Sequence, residues 1–80
     1  MSEKLVCLEI TCVDEDKCVV SFEPWGAAYD LAPGDVFYVE VKGPGSGILQ
    51  ILHDPSGISV WTWEGGKFTV RNEAGTALPT

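Results

Sequence analysis

The stretch ILQILHDPSGISVWTWEGGKFTVRNEAGTAL, residues 48–78, decides the fold class. Apolar and polar residues alternate along it with the period of two that belongs to strands, and turn residues interrupt it at short intervals. Asp54-Pro55-Ser56-Gly57 separates two apolar runs. Proline at the second place and glycine at the fourth suit a type I turn closing in a bulge. That reading pairs Ile51 with Trp61, Leu49 with Trp63 and Leu52 with Val60. Gly65-Gly66 reads as a two-residue hairpin that pairs Glu64 with Lys67, Trp63 with Phe68 and Trp61 with Val70. Asn72-Glu73-Ala74-Gly75 repeats the type I-plus-glycine pattern and places Leu78 opposite Val70. The three turns predict a meander with one apolar face: Leu49, Ile51, Trp61, Trp63, Phe68, Val70 and Leu78. Its other face, with Ile48, Leu52, Ile58 and Val60 beside Gln50, Thr62, Thr69 and Arg71, is half polar and expected to meet water.

Upstream the same period continues. Leu5 to Val13 places Val6, Leu8, Ile10 and Cys12 on one face, and Lys17 to Glu23 places Cys18, Val20 and Phe22 on one face. A three-residue Asp14-Glu15-Asp16 turn would pair Leu8 with Phe22, Ile10 with Val20 and Cys12 with Cys18. Asp35 to Lys42 is a further strand, with Phe37, Val39 and Val41 inward, entered through the Pro33-Gly34 turn. Gly43 to Gly47 reads as a connection between sheets. Helical periodicity is lacking, and nine glycines and five prolines punctuate the chain. The expectation is one all-β domain over residues 1–80, a small antiparallel two-sheet sandwich or jelly-roll-like barrel of seven or eight short strands. The N-terminal hairpin and Asp35–Lys42 would form the sheet opposite the meander.

Composition narrows the function classes. Twelve acidic against five basic residues give a net charge of −7. That charge repels phosphate backbones and anionic membranes, so neither nucleic acid nor membrane is expected as a partner. The first residues lack a cationic leader, and no apolar run approaches a membrane span of about 20 residues. Three cysteines, an odd number, fit a reducing compartment, so a cytoplasmic location is expected.

Candidate chemistry is sparse. His53 is the only histidine. The predicted hairpin sets Ser59 across from it and Asp54 beside it, but no nucleophile elbow or oxyanion device accompanies them, so hairpin geometry explains the trio. Cys12 and Cys18 lack the further ligands of a zinc site and read as small buried hydrophobes, with a disulfide geometrically conceivable. Asp14-Glu15-Asp16 lacks the glycine and distal glutamate of a calcium loop. Gly43 to Gly47 lacks the lysine of a phosphate loop. No catalytic residue, metal site or cofactor is expected. Trp61 and Trp63 fall on the predicted core face. Plain alternation breaks over the irregular stretch Pro24 to Pro33, and the segment Glu23 to Asp30 reads as an Ω-like loop covering one end of the sandwich. Within that segment Glu23, Trp25, Tyr29 and Asp30 are the candidate binding residues.

Phe22-Glu23-Pro24-Trp25-Gly26, Leu31-Ala32-Pro33-Gly34-Asp35 and Gly57-Ile58-Ser59-Val60-Trp61 together resemble small bacterial all-β proteins of unknown function. The Leu-x-Pro-Gly-Asp turn leading into a strand is also similar to turns in cupin-type jelly rolls, over Leu31 to about Gly57. The histidine-rich metal pattern of cupins is absent, so the resemblance implies a jelly-roll-like sandwich and no metal chemistry. The expected function is a non-catalytic protein-interaction module, through self-association or a basic protein partner. The alternative is a small-ligand domain taking a sugar or metabolite against Trp25 and Tyr29.

Overall fold

Among the described residues, eight strands and four connections that carry the chain from sheet to sheet build the fold. The computed structural model describes residues 3–80. Its strands are β1 (Glu3–Thr11), β2 (Cys18–Glu23), β3 (Ala27–Leu31), β4 (Val36–Pro44), β5 (Gln50–Asp54), β6 (Gly57–Trp61), β7 (Lys67–Arg71) and β8 (Ala77–Leu78). One sheet has the order β1-β4-β7-β8 and the other β3-β2-β6-β5. The all-β sandwich follows from period-two alternation, since each strand must bury one face. All neighbours are antiparallel except β2 and β6, which run parallel with Val20 beside Ile58 and Phe22 beside Val60. Among the described residues no helix is long and apolar enough to cross a membrane.

The inward faces of β1, β2 and β4 are those the alternation predicts. Val20 and Phe22 are fully buried, as are Val39 and Val41, while Val6, Leu8 and Ile10 are partly buried against them. Phe22 meets Phe68 edge-on at 5.2 Å between ring centroids, tying the two sheets at the centre. Each fully buried aliphatic or aromatic side chain contributes roughly 1.5–3 kcal/mol of hydrophobic stabilisation. The Asn72–Gly75 turn also forms as expected: Gly75 N–H donates to Asn72 C=O at 2.9 Å, and Leu78 lies opposite Val70.

The sheet partners differ from the predicted ones. β1 does not pair with β2 but with β4, Leu8 opposite Val39. The end of β1 is held by the Pro33-Gly34 turn instead: Cys12 N–H donates to Asp35 C=O, and Gly34 N–H donates to Cys12 C=O. Asp14-Glu15-Asp16 therefore carries the chain from one sheet to the other. Cys12 and Cys18 still meet, as an inter-sheet disulfide with Cα atoms 5.8 Å apart, and not as two separate buried thiols. That separation lies in the normal range for a disulfide.

The predicted meander also divides. β7 joins β4, with Val70 opposite Val39, so Gly65-Gly66 does not connect paired strands. Gly66 N–H donates to Trp63 C=O at 2.9 Å, and Gly65 at φ 86° turns the chain out of one sheet into the other. The Leu31–Asp35 turn does the same between β3 and β4. There Asp35 N–H donates to Ala32 C=O and the Asp35 carboxylate accepts from Ala32 N–H, both at 2.9 Å. Glu23–Asp30 is not an Ω-like loop: β2 runs to Glu23 and Ala27–Leu31 forms β3, its hairpin partner, with Phe22 opposite Ala27.

The β5–β6 hairpin is shifted by one residue. Asp54 opposes Gly57, which leaves Pro55-Ser56 as a two-residue loop, so Ile51 faces Val60 and Gln50 faces Trp61. A one-residue slip exchanges the two faces of a strand. Val60 is accordingly fully buried and Trp61 exposed, while Ile51, on the same face as Val60, is exposed because β5 forms the edge of its sheet. Gly57 fixes this arrangement, because a Cβ there would stand 2.4 Å from the Val19 carbonyl oxygen of β2.

Candidate functional site

The four residues singled out from the sequence do not form one site. Glu23 ends β2 and is half-buried, and Trp25 sits 51% exposed in the turn that follows. Tyr29 points the other way. Its ring packs edge-on against Phe37 at 5.9 Å and lies 6.4 Å from Phe22, and its hydroxyl donates to the Pro79 carbonyl. Tyr29 is therefore part of the packing at the far end of β3. Asp30, on the opposite face of that strand, forms an exposed ion pair with Lys17 at 3.1 Å. Such a pair contributes little to stability.

Glu23 and Trp25 instead meet residues that the sequence assigned to the core. The turn closes with Gly26 N–H donating to Phe22 C=O at 3.0 Å, and Thr62 N–H reaches the Glu23 carbonyl at 3.3 Å. The parallel register sets Glu23 beside Trp61. Pro24, Trp25, Trp61 and Trp63 then line one open cleft of 480 Å³ together with Thr62, Glu64, Gly65, Gly66 and Lys67. All three tryptophans of the chain thus border a single depression at one end of the sandwich.

Each ring is held differently. Trp25 rests edge-on against Phe68, 5.7 Å between centroids, so its exposed part is braced from below. Trp61 is 37% exposed at the last position of β6. Trp63 is buried, its indole N–H donating to the Pro44 carbonyl at 3.0 Å and Lys4 Nζ lying 5.2 Å over its ring. Lys4 Nζ also donates to the Gly47 carbonyl at 2.8 Å. Gly47 leaves no room for a side chain: a Cβ there would lie 2.4 Å from the Trp63 Cβ. Trp63 is thus the fixed floor of the cleft, and Trp25 and Trp61 are its exposed walls.

The other candidate features remain apart. Ser59 opposes Leu52 and not His53, and its hydroxyl pairs with Ser21 at 3.1 Å. The Asp54 carboxylate accepts from Ser56 N–H and Oγ at 2.8 and 2.5 Å, which holds its pKa below the usual carboxylate value. Among the described residues no group of three or more His, Cys, Asp or Glu side chains is placed to hold a metal. A larger depression of 910 Å³ lies by the Gly43–Gly45 loop, with Lys42, Lys67 and Glu3 at its margin. It offers no aromatic wall, and Lys42 and Lys67 stand directly opposite one another across β4 and β7.

Trp61 was hidden in the sequence by the hairpin parity. A two-residue reading of Pro55-Ser56 exposes it. Trp61 and Trp63, two positions apart, share a face only while the strand continues, and β6 stops at Trp61. Comparison of the chain with protein-family models, curated proteins and solved structures returned no match.

Proposed function

We propose that this chain is a non-catalytic interaction module that receives an extended, proline-bearing and basic segment of a protein partner in the tryptophan cleft. The observation that carries the proposal is the convergence of Trp25, Trp61 and Trp63 with Pro24 on one open cleft. Aromatic ridges accept extended proline-rich segments at low entropic cost, because such segments are already fixed in a polyproline conformation. Exposed tryptophans are also the side chains most often dominant at protein interfaces. Glu23 and Glu64 beside the rings, and a net charge of −7, favour a cationic segment over an anionic one and speed its encounter.

A second reading, a sugar stacked on a tryptophan face, draws on the same rings with Glu64 and Lys67 as hydrogen-bonding flanks. It uses Trp25 as first expected, but Tyr29 has no part in it. Intrinsic tryptophan fluorescence separates the two. Titration with a short arginine- and proline-rich peptide is expected to shift and quench the emission, and oligosaccharides to leave it unchanged. The reverse outcome would replace the first reading by the second. The cytoplasmic location argued from the odd cysteine count stays a proposal. The Cys12–Cys18 bridge weighs against it, since such bridges persist in oxidising compartments.

A further inference from the structure

The two sheets end in four edge strands: β1, β8, β3 and β5. Three have the features that keep edges from pairing. β8 has two residues, β3 carries the Asp30–Lys17 ion pair, and β1 carries Glu3, Lys4 and Glu9. β5 has none of these along Gln50-Ile51-Leu52-His53. All five of its residues are exposed, Ile51 to 56% and Leu52 to 51%, and Ile48 just before it to 77%. In a chain of net charge −7 this edge carries a single acid, Asp54 at its last position, so two copies can meet on it with no acid opposite another.

The hairpin register fixes which backbone groups that edge presents. A two-residue loop closes on a hydrogen-bonded pair, here Asp54 and Gly57. Hydrogen-bonded and non-hydrogen-bonded pairs then alternate, so Leu52 and Gln50 bond to β6. The N–H and C=O groups of Ile51 and His53 are left pointing outward. An antiparallel copy of β5 related by a two-fold axis at Leu52 satisfies all of them, Ile51 bonding to His53 of the second copy and the reverse. The same register brings Leu52 against its own counterpart and Gln50 opposite Asp54, an amide donor facing a carboxylate. The Asp54 carboxylates fall at opposite ends of the pairing.

We infer that β5 is a self-association edge, through which two copies join their β3-β2-β6-β5 sheets into one eight-stranded sheet. The inference is independent of the peptide reading. A single short strand makes a small interface, so the dimer is weak and concentration-dependent. Sedimentation velocity from about 10 μM to about 1 mM is expected to show the mean mass rising toward twice the monomer. Leu52→Lys sets two like charges on the two-fold axis and is expected to abolish the rise while leaving the circular dichroism spectrum unchanged. In a Cys7→Ser background, Leu52→Cys is expected to cross-link between copies on mild oxidation at least ten-fold faster than Thr69→Cys on the outer face of the other sheet. A monomer at every concentration, a dimer that survives Leu52→Lys, or equal cross-linking rates at the two positions would overturn the inference.

Discussion

Val60 and Trp61 are neighbours on β6 with opposite surroundings, and exchanging each for threonine tests the register on which the cleft depends. Val60 is 0% exposed. Threonine has nearly the same shape, so Val60→Thr opens no cavity, but it places a hydroxyl in the apolar core beside Phe22 of β2. Burying a hydroxyl without a partner costs about 1–3 kcal/mol. For a domain of this size about 1 kcal/mol lowers Tm by roughly 4–8 °C, so the expected loss is roughly 4–24 °C. The assay is thermal unfolding followed by circular dichroism, with urea unfolding to check that the m-value is unchanged. Trp61→Thr removes a ring that is 37% exposed and is expected to leave a folded protein. In the alternative register Trp61 lies inward and Val60 toward solvent. Val60→Thr would then be neutral, and loss of a core tryptophan would cost about 3–5 kcal/mol. An unchanged Tm for Val60→Thr would refute the register and the cleft with it.

Other expectations follow from single observations. Gly47→Ala is expected to cost about 1–3 kcal/mol by chemical denaturation, because φ is 128° and the new Cβ would strike Trp63. The native protein should show one reactive thiol, Cys7, with two more after reduction; reduction should cost about 2 kcal/mol from the freed short loop. Asp54 is held below its ordinary pKa of 3.8 chiefly by the Ser56 hydroxyl and amide. Its contribution to stability is therefore present above the unfolded value and lost as pH falls through the folded one. Ser56→Ala should move the Asp54 carboxyl resonance midpoint upward in an NMR titration. Trp25→Ala gives up the edge contact with Phe68 and so lowers Tm, but should leave the protein folded at room temperature and remove most of the fluorescence response to a proline-rich basic peptide.

Much of the fold is legible in the sequence because strand parity is a local property. Alternation alone placed Val20, Phe22, Val39, Val41, Phe68 and Val70 in the core, where they are buried. The Asn72–Gly75 turn set Leu78 against Val70, since that turn does join neighbouring strands. Partner choice is not local. Gly65-Gly66 has the composition of a tight hairpin, yet it crosses between sheets, and nothing within the dipeptide separates the two uses. Asp14-Glu15-Asp16 is ambiguous in the same way. The Asp54–Gly57 turn accommodates either a bulged or a two-residue closure, and the choice between them moves Trp61 from core to surface. Half of the candidate site was therefore visible. Glu23 and Trp25 stood out as departures from alternation, while Trp61 was concealed by parity and Trp63 reached the cleft only because β6 ends before it.

The tryptophan cleft as a receiver of a basic, proline-bearing segment is tested most directly by fluorescence titration of the wild type and the Trp25→Ala/Trp61→Ala double variant. One short arginine- and proline-rich peptide serves as the probe. A saturable quench and blue shift are expected in the wild type and should be lacking in the folded double variant. An equal response from both proteins, or none from the wild type up to about 1 mM peptide, would contradict it.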